Sequence, residues 1–290
     1  MAGILDLVGN TPLVELQKVI TNKDVTIYGK LEGNNPGGSV KDRAAYGMIK
    51  GAIDRGELTP GIKLIEATSG NTGIALALMA SLFEVEIEIV MPEDATRERV
   101  LTMQAFGAKV ILTPKSQSME GAIDYAAAQV AKGGYLMLNQ FANEDNHLMH
   151  YKTTGPEIWR DTEGKITHFV SSMGTTGTIM GVSAFLKEQN KNIQIVGCQP
   201  SEGSHIPGIR KWQEAYLPKF FKKEKIDRII EVDEKDARIM TKRLAREEGI
   251  FSGMSSGGAV NAAIELSKEL TSGVIVCIIC DRGDRYLSSD

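Results

Sequence analysis

Lys63-Leu64-Ile65-Glu66-Ala67-Thr68-Ser69-Gly70-Asn71-Thr72-Gly73 reads as a short apolar strand that runs through small and polar residues into a helix over Thr72 to Phe83. Outward from it the pattern repeats. Strands are expected at Glu86 to Met91, Lys109 to Leu112 and Tyr135 to Leu138, with helices at Arg97 to Phe106 and Met119 to Ala131 between them. Short continuous apolar strands alternating with helices predict a parallel sheet covered on both faces. Upstream lie a strand at Val25 to Lys30 and a helix continuing to about Asp54. Downstream, the polar segment Asn139 to Asn146 precedes a helix over His147 to Arg160 that Gly155-Pro156 should interrupt, because proline lacks the N–H a helix needs. A second alternating run follows, with strands at Thr167 to Ser171, Ile193 to Cys198, Arg228 to Val232 and Val274 to Cys280. Its helices fall at Thr178 to Glu188, Glu234 to Glu248 and Gly258 to Leu270. Two α/β units in 290 residues predict two domains.

Composition excludes several classes. With 42% hydrophobic and 24% charged residues and a net charge of −4, the chain has the balance of a globular protein, and nothing points to nucleic acid. The one basic cluster, Lys219 to Lys225, is short, contains Glu224 and reads as a solvated surface. Met1 to Leu7 has no basic flank before a long apolar run, so neither a secretory leader nor a membrane span is expected. Three cysteines fit a reducing compartment, and Cys277 and Cys280 lie on one strand pattern pointing to opposite faces, which argues against a disulfide. Histidines 147, 150, 168 and 205 lack companions at zinc spacing, so no metal site is expected.

In open parallel sheets ligands bind beyond the carboxyl ends of the strands, and the glycine-rich segments fall there repeatedly. Thr68 to Gly73 offers backbone N–H groups and three hydroxyls at a helix start, a cradle for a carboxylate or other small anion; a plain capped turn is the alternative. Gly174-Thr175-Thr176-Gly177-Thr178 again opens a helix but is neither a Walker loop nor a dinucleotide fingerprint. Its donors, without a lysine, suit one phosphate monoester. Gly253 to Gly258 precedes another helix and could cap it or receive a heterocycle edge. Finally, Gly33 to Ala45 makes a tight loop in which Ser39 is a good N-cap and Lys41 falls in a first helical turn. The positive end of a helix disfavours an ammonium and favours the nucleophilic free amine; a solvated surface lysine is the other reading.

A nucleophilic lysine, a phosphate cradle, a carboxylate cradle and a ring-edge hydroxyl together describe a pyridoxal-phosphate enzyme acting on an amino acid. Asn34 to Arg43, Thr68 to Gly73 and Gly174 to Thr178 match, in order, motifs of the cysteine synthase and cystathionine β-synthase family, which the chain resembles over nearly its whole length. The resemblance implies the tryptophan-synthase-β-like fold (fold type II), each domain a mainly parallel sheet flanked by helices. It divides the chain into a smaller domain of residues 36–145 and a larger one of 1–35 and 146–290. It implies that Lys41 carries pyridoxal 5'-phosphate, Asn71 bonds the ring's phenolic oxygen, and Gly174, Thr175, Thr176, Gly177 and Thr178 hold the phosphate. Ser255 would face the pyridine nitrogen, and Thr68, Ser69, Thr72 and Gln140 the substrate carboxylate. A neutral hydroxyl at the ring nitrogen, unlike a carboxylate, leaves the ring a weaker electron sink, which suits β-elimination.

The activity so implied is β-replacement. O-Acetylserine loses acetate to leave an aminoacrylate on the coenzyme, and a sulfur nucleophile adds at Cβ. Features of the family's B form stand in Ser204 to Arg210 and Cys280 to Tyr286; through them the resemblance implies that Arg210, Cys280 and Asp281 admit thiosulfate as well as sulfide. Gly37 stands where an alanine is common in the family that the chain resembles, a change that suits a tight loop. A cytoplasmic homodimer that closes over substrate is also expected. Cystathionine β-synthase-like or serine/threonine dehydratase activity, or a non-catalytic regulatory protein on the same fold, remain alternatives at this stage.

Overall fold

The computed structural model describes residues 3–287. In chain order its strands are β1 (Leu13–Glu15), β2 (Val25–Leu31), β3 (Lys63–Ala67), β4 (Ile87–Pro92), β5 (Lys109–Thr113), β6 (Tyr135–Leu136), β7 (His168–Ser172), β8 (Gln194–Pro200), β9 (Arg228–Val232) and β10 (Gly273–Ile279). Its α-helices are α1 (Lys41–Asp54), α2 (Asn71–Leu82), α3 (Arg97–Ala105), α4 (Ser118–Lys132), α5 (Glu144–Lys152), α6 (Thr154–Asp161), α7 (Gly177–Gln189), α8 (Glu234–Arg243) and α9 (Met254–Ser267). The strands form a six-stranded sheet, β1-β2-β10-β7-β8-β9, and a four-stranded sheet, β5-β4-β3-β6. Every pairing is parallel except β1 with β2. The chain thus leaves one sheet after Leu31 and enters the other at Lys63, and Lys41 stands on the crossing.

Burial explains the elements. All six residues of β4 are buried, as a strand covered on both faces requires. The run Thr72 to Ala80 of α2 is buried all round, which fits its nearly continuous apolar sequence. Several expected boundaries move for physical reasons. β6 stops at Leu136 rather than Leu138, because the N–H groups of Leu138 and Asn139 donate to Glu66 Oε2 at 3.1 and 3.2 Å instead of continuing the ladder. The helix expected over His147 to Arg160 is two helices that break at Thr153, three residues before Pro156. α8 passes into a π-helical turn at Leu244–Glu248 before Gly249 ends it at φ +71°. α9 begins at Met254, so Ser255 to Gly258 lie inside the helix and do not precede it.

Beneath the crossing lies a buried ionic cluster. Arg43 makes paired bonds of 2.7 Å to both oxygens of Glu32 and bonds of 2.7 and 2.8 Å to those of Glu157. Lys30 Nζ reaches Glu157 at 2.9 Å and Asp161 at 3.2 Å. Burial alone would raise the carboxyl groups of Glu32 and Glu157, but the Arg43 charge and hydrogen bonds overcome it, and Glu157 settles at about 2. The cluster ties β2, α1 and α6 together two residues from Lys41.

Candidate active site

Lys41 is the first residue of α1, as expected, although the capping residue is Val40. Ser39 still serves the turn: its Oγ accepts the Lys41 N–H at 3.2 Å. The loop before it is held by Asp42, whose Oδ2 accepts the Gly37 N–H at 2.5 Å. A Cβ at Gly37 would meet Asp42 Oδ1 at 2.6 Å, so a larger residue there would have to displace the carboxylate that holds the loop.

One hollow is lined by Lys41, Asn71, Gly174, Thr175, Thr176, Thr178 and Ser255, with Ser172, Gly208 and Cys280 among the rest of its wall. The seven come from the starts of α1, α2, α7 and α9, four helix N-termini whose unpaired N–H groups favour bound negative charge. Gly177, first residue of α7, is buried behind them; a Cβ there would overlap the Asn146 amide. A Cβ on Gly174 would come within 2.7 Å of the Gly208 carbonyl oxygen. Thr176 takes the left-handed conformation at φ +67°, and its hydroxyl is buried with no partner. An unpaired buried hydroxyl at a helix start, between glycines packed too closely for side chains, fits a phosphate group that would accept from it.

Two residues missed by the sequence reading brace this loop from α5. Asn146 Nδ2 donates to Thr175 Oγ1 at 3.3 Å, and one helical turn on, His150 Nε2 lies 3.3 Å from Thr178 Oγ1. Burial pushes His150 down to about 3, so the ring is neutral at physiological pH, and its Nδ1 is 2.9 Å from Thr154 Oγ1. Gly181 permits this approach, since a Cβ there would overlap the His147 carbonyl. The i, i+4 spacing of 146 and 150 was the available signal.

The expected carboxylate cradle lies at the four-stranded sheet. Thr68 continues β3, its N–H donating to the Val90 carbonyl at 3.0 Å, and Ser69 follows it, its carbonyl 3.4 Å from Arg99 Nη1. Thr72 Oγ1 donates to Gln140 Oε1 at 2.7 Å, joining two of the four expected residues. The segment carrying Gln140 is anchored by Glu66, whose carboxyl burial raises to about 7 against backbone donors from 138–140. Arg210 is not part of the hollow: it is exposed, with its guanidinium 5.9 Å from the Phe141 ring and 5.3 Å from that of Trp212. Trp212 Nε1 donates to the Gly174 carbonyl at 2.8 Å, so Arg210 stands one side chain away from the loop 174–178. Asp281, expected from the resemblance to make the site more polar, is only 2% exposed, and both its oxygens are engaged by protein donors.

Among the described residues no group of three or more His, Cys, Asp and Glu could hold a metal, and no helix is long and apolar enough to cross a membrane. Residues 4–281 match the family described as pyridoxal-phosphate dependent enzyme. Cysteine synthase B of Pseudomonas aeruginosa is 57% identical over 286 residues, spanning 99% of this chain and 96% of that protein. Cysteine synthase B of Escherichia coli is 53% identical, spanning 100% and 95%. A crystal structure of cysteine synthase from Entamoeba histolytica superposes with a TM-score of 0.95 at 39% identity, covering 100% of this chain and 90% of that one. The α/β architecture, the hollow at four helix starts and these full-length similarities lead to one conclusion: the chain belongs to the cysteine synthase family of pyridoxal-phosphate dependent enzymes.

Proposed function

We propose that the protein makes L-cysteine by β-replacement, exchanging the acetate of O-acetyl-L-serine for sulfide, and S-sulfocysteine when thiosulfate is the donor. The observation that carries the reading is the shared lining of one hollow by Lys41, Asn71, Gly174, Thr175, Thr176, Thr178 and Ser255. Pyridoxal phosphate, when bound, supplies a sink for negative charge at the substrate's Cα and so lets the β-substituent leave. Lys41 Nζ would hold the coenzyme, and its free amine would take the substrate's Cα proton. Loop 174–178 grips the phosphate through backbone N–H groups and the unpaired Thr176 hydroxyl. Thr68, Ser69, Thr72 and Gln140 hold the substrate carboxylate, which requires the Thr72–Gln140 bond to open or to be shared. Ser255 offers its hydroxyl to the ring nitrogen, and Arg210, outside the hollow, attracts an anionic sulfur donor.

The same reading divides the chain into lobes of residues 36–145 and of 1–35 with 146–290, of which 1, 2 and 288–290 lie outside the described residues. It has the lobes close over the amino acid and the enzyme work as a cytoplasmic homodimer. Rapid mixing with O-acetylserine tests the reaction. The visible spectrum should change within the mixing experiment and return when sulfide or thiosulfate is added, with cysteine or S-sulfocysteine released. A spectrum that O-acetylserine leaves unmoved would end the proposal.

A further inference from the structure

Residues 281–286 follow β10 of the six-stranded sheet, yet they grip Asn71, a residue of the hollow that opens α2 after β3 of the other sheet. Asn71 Nδ2 donates to Asp281 Oδ2 at 2.6 Å, and Asn71 Oδ1 accepts from Arg285 Nη1 at 2.7 Å. Asp281 is further fixed by the Tyr286 hydroxyl on Oδ2 at 2.5 Å and by the Gly253 N–H on Oδ1 at 3.2 Å. Arg285 Nη2 donates at the same time to the Gly37 carbonyl in the loop before Lys41. The Arg99 guanidinium, from α3, lies 5.4 Å from the centre of the Tyr286 ring.

An asparagine amide can normally turn over, exchanging donor for acceptor. Here it has no such freedom, because guanidinium can only donate and a carboxylate accepting three donors can only accept. The oxygen of Asn71 must face Arg285 and its nitrogen Asp281. We infer that Asp281 and Arg285 are positioning residues that lock the Asn71 amide so that it presents an N–H, never its oxygen, to the ring oxygen of the coenzyme. This rests on the proposed role of Asn71. The consequence is chemical: an N–H donor favours the ionised ring oxygen, whereas a carbonyl facing it would favour the protonated one.

The test compares R285L, D281N and R285K with N71A and the parent, each loaded with pyridoxal phosphate. Readouts are the borohydride-trapped adduct at Lys41, the ratio of the visible to the near-ultraviolet coenzyme band, and the pH at which that ratio changes. R285L, D281N and N71A should keep the adduct and shift the ratio toward the near-ultraviolet band by about tenfold, the scale of one charge-assisted hydrogen bond. R285K should recover much of the shift, and R285L/N71A should move no further than N71A. Parent-like ratios in both R285L and D281N, or additive shifts in the double variant, would overturn the inference. Failure of the underlying reading looks different: N71A would then leave the ratio unmoved, or the parent would give no adduct at Lys41.

Discussion

Arg43→Met tests how the lysine-bearing helix is held. The substitution keeps most of the aliphatic volume but removes a guanidinium that is 0% exposed and bonds all four carboxylate oxygens of Glu32 and Glu157. In the parent, Glu157 is held at about 2 against an ordinary 4.5. That shift corresponds to ~3 kcal/mol of stability, shared between Arg43 and Lys30. It is present above pH 4.5 and is lost as the pH falls toward 2. Without Arg43 the burial of Glu32 is opposed chiefly by hydrogen bonds from Thr11 and Asn35, which carry no charge, and its folded-state carboxyl moves above the unfolded value. Breaking a buried pair in this way costs about 3–5 kcal/mol at pH 7. Urea unfolding followed by circular dichroism, and by the fluorescence of Trp159 and Trp212, reads the loss. The gap between parent and variant should be widest at pH 7 and narrow toward pH 5, as protonation relieves the orphaned carboxyls. E32Q in the R43M background should recover at least ~1 kcal/mol by removing a stranded charge. A gap below ~1 kcal/mol, or one that widens as the pH falls, would refute the reasoning.

Glu66 carries the opposite sign. Burial raises its folded value to about 7, so stability should fall by up to ~3 kcal/mol as the pH rises from 4.5 through 7, and E66Q should flatten that slope in the same unfolding assay. T176V keeps the side-chain shape and removes the unpaired hydroxyl; coenzyme affinity, titrated by absorbance, should weaken roughly tenfold or more. Q140A frees Thr72 and removes the amide proposed to hold the substrate carboxylate, so KM for O-acetylserine should rise about tenfold while the coenzyme spectrum without substrate stays as in the parent.

What the sequence revealed follows its local signals. β3 and β9 fall on their expected residues because apolar runs flanked by turn residues leave little choice. β1, three residues long and bounded by no strong pattern, was invisible. The starts of α1, α2 and α7 were legible from small-residue loops; that of α9 was not, because Ser255 to Gly258 look like loop, whereas they are buried inside the helix with Gly257 packed closely against α8. Arg43 pairs with residues 11 and 114 positions away, and Asn71 with residues 210 and 214 positions away. No periodicity links such partners; only the crossing of the chain between the two sheets brings them together. Arg210, by contrast, shows that a motif can be present while its charge stacks on aromatic rings outside the hollow.

The central claim is that the amine at position 41 carries pyridoxal phosphate whose phosphate is held by loop 174–178. Borohydride reduction of the protein incubated with that coenzyme, followed by peptide mass mapping, tests it directly. The account predicts a single pyridoxyl adduct on Lys41, absent from K41A and weakened in T176V at limiting coenzyme. A protein that stays colourless, or an adduct on another lysine that K41A leaves intact, would contradict it.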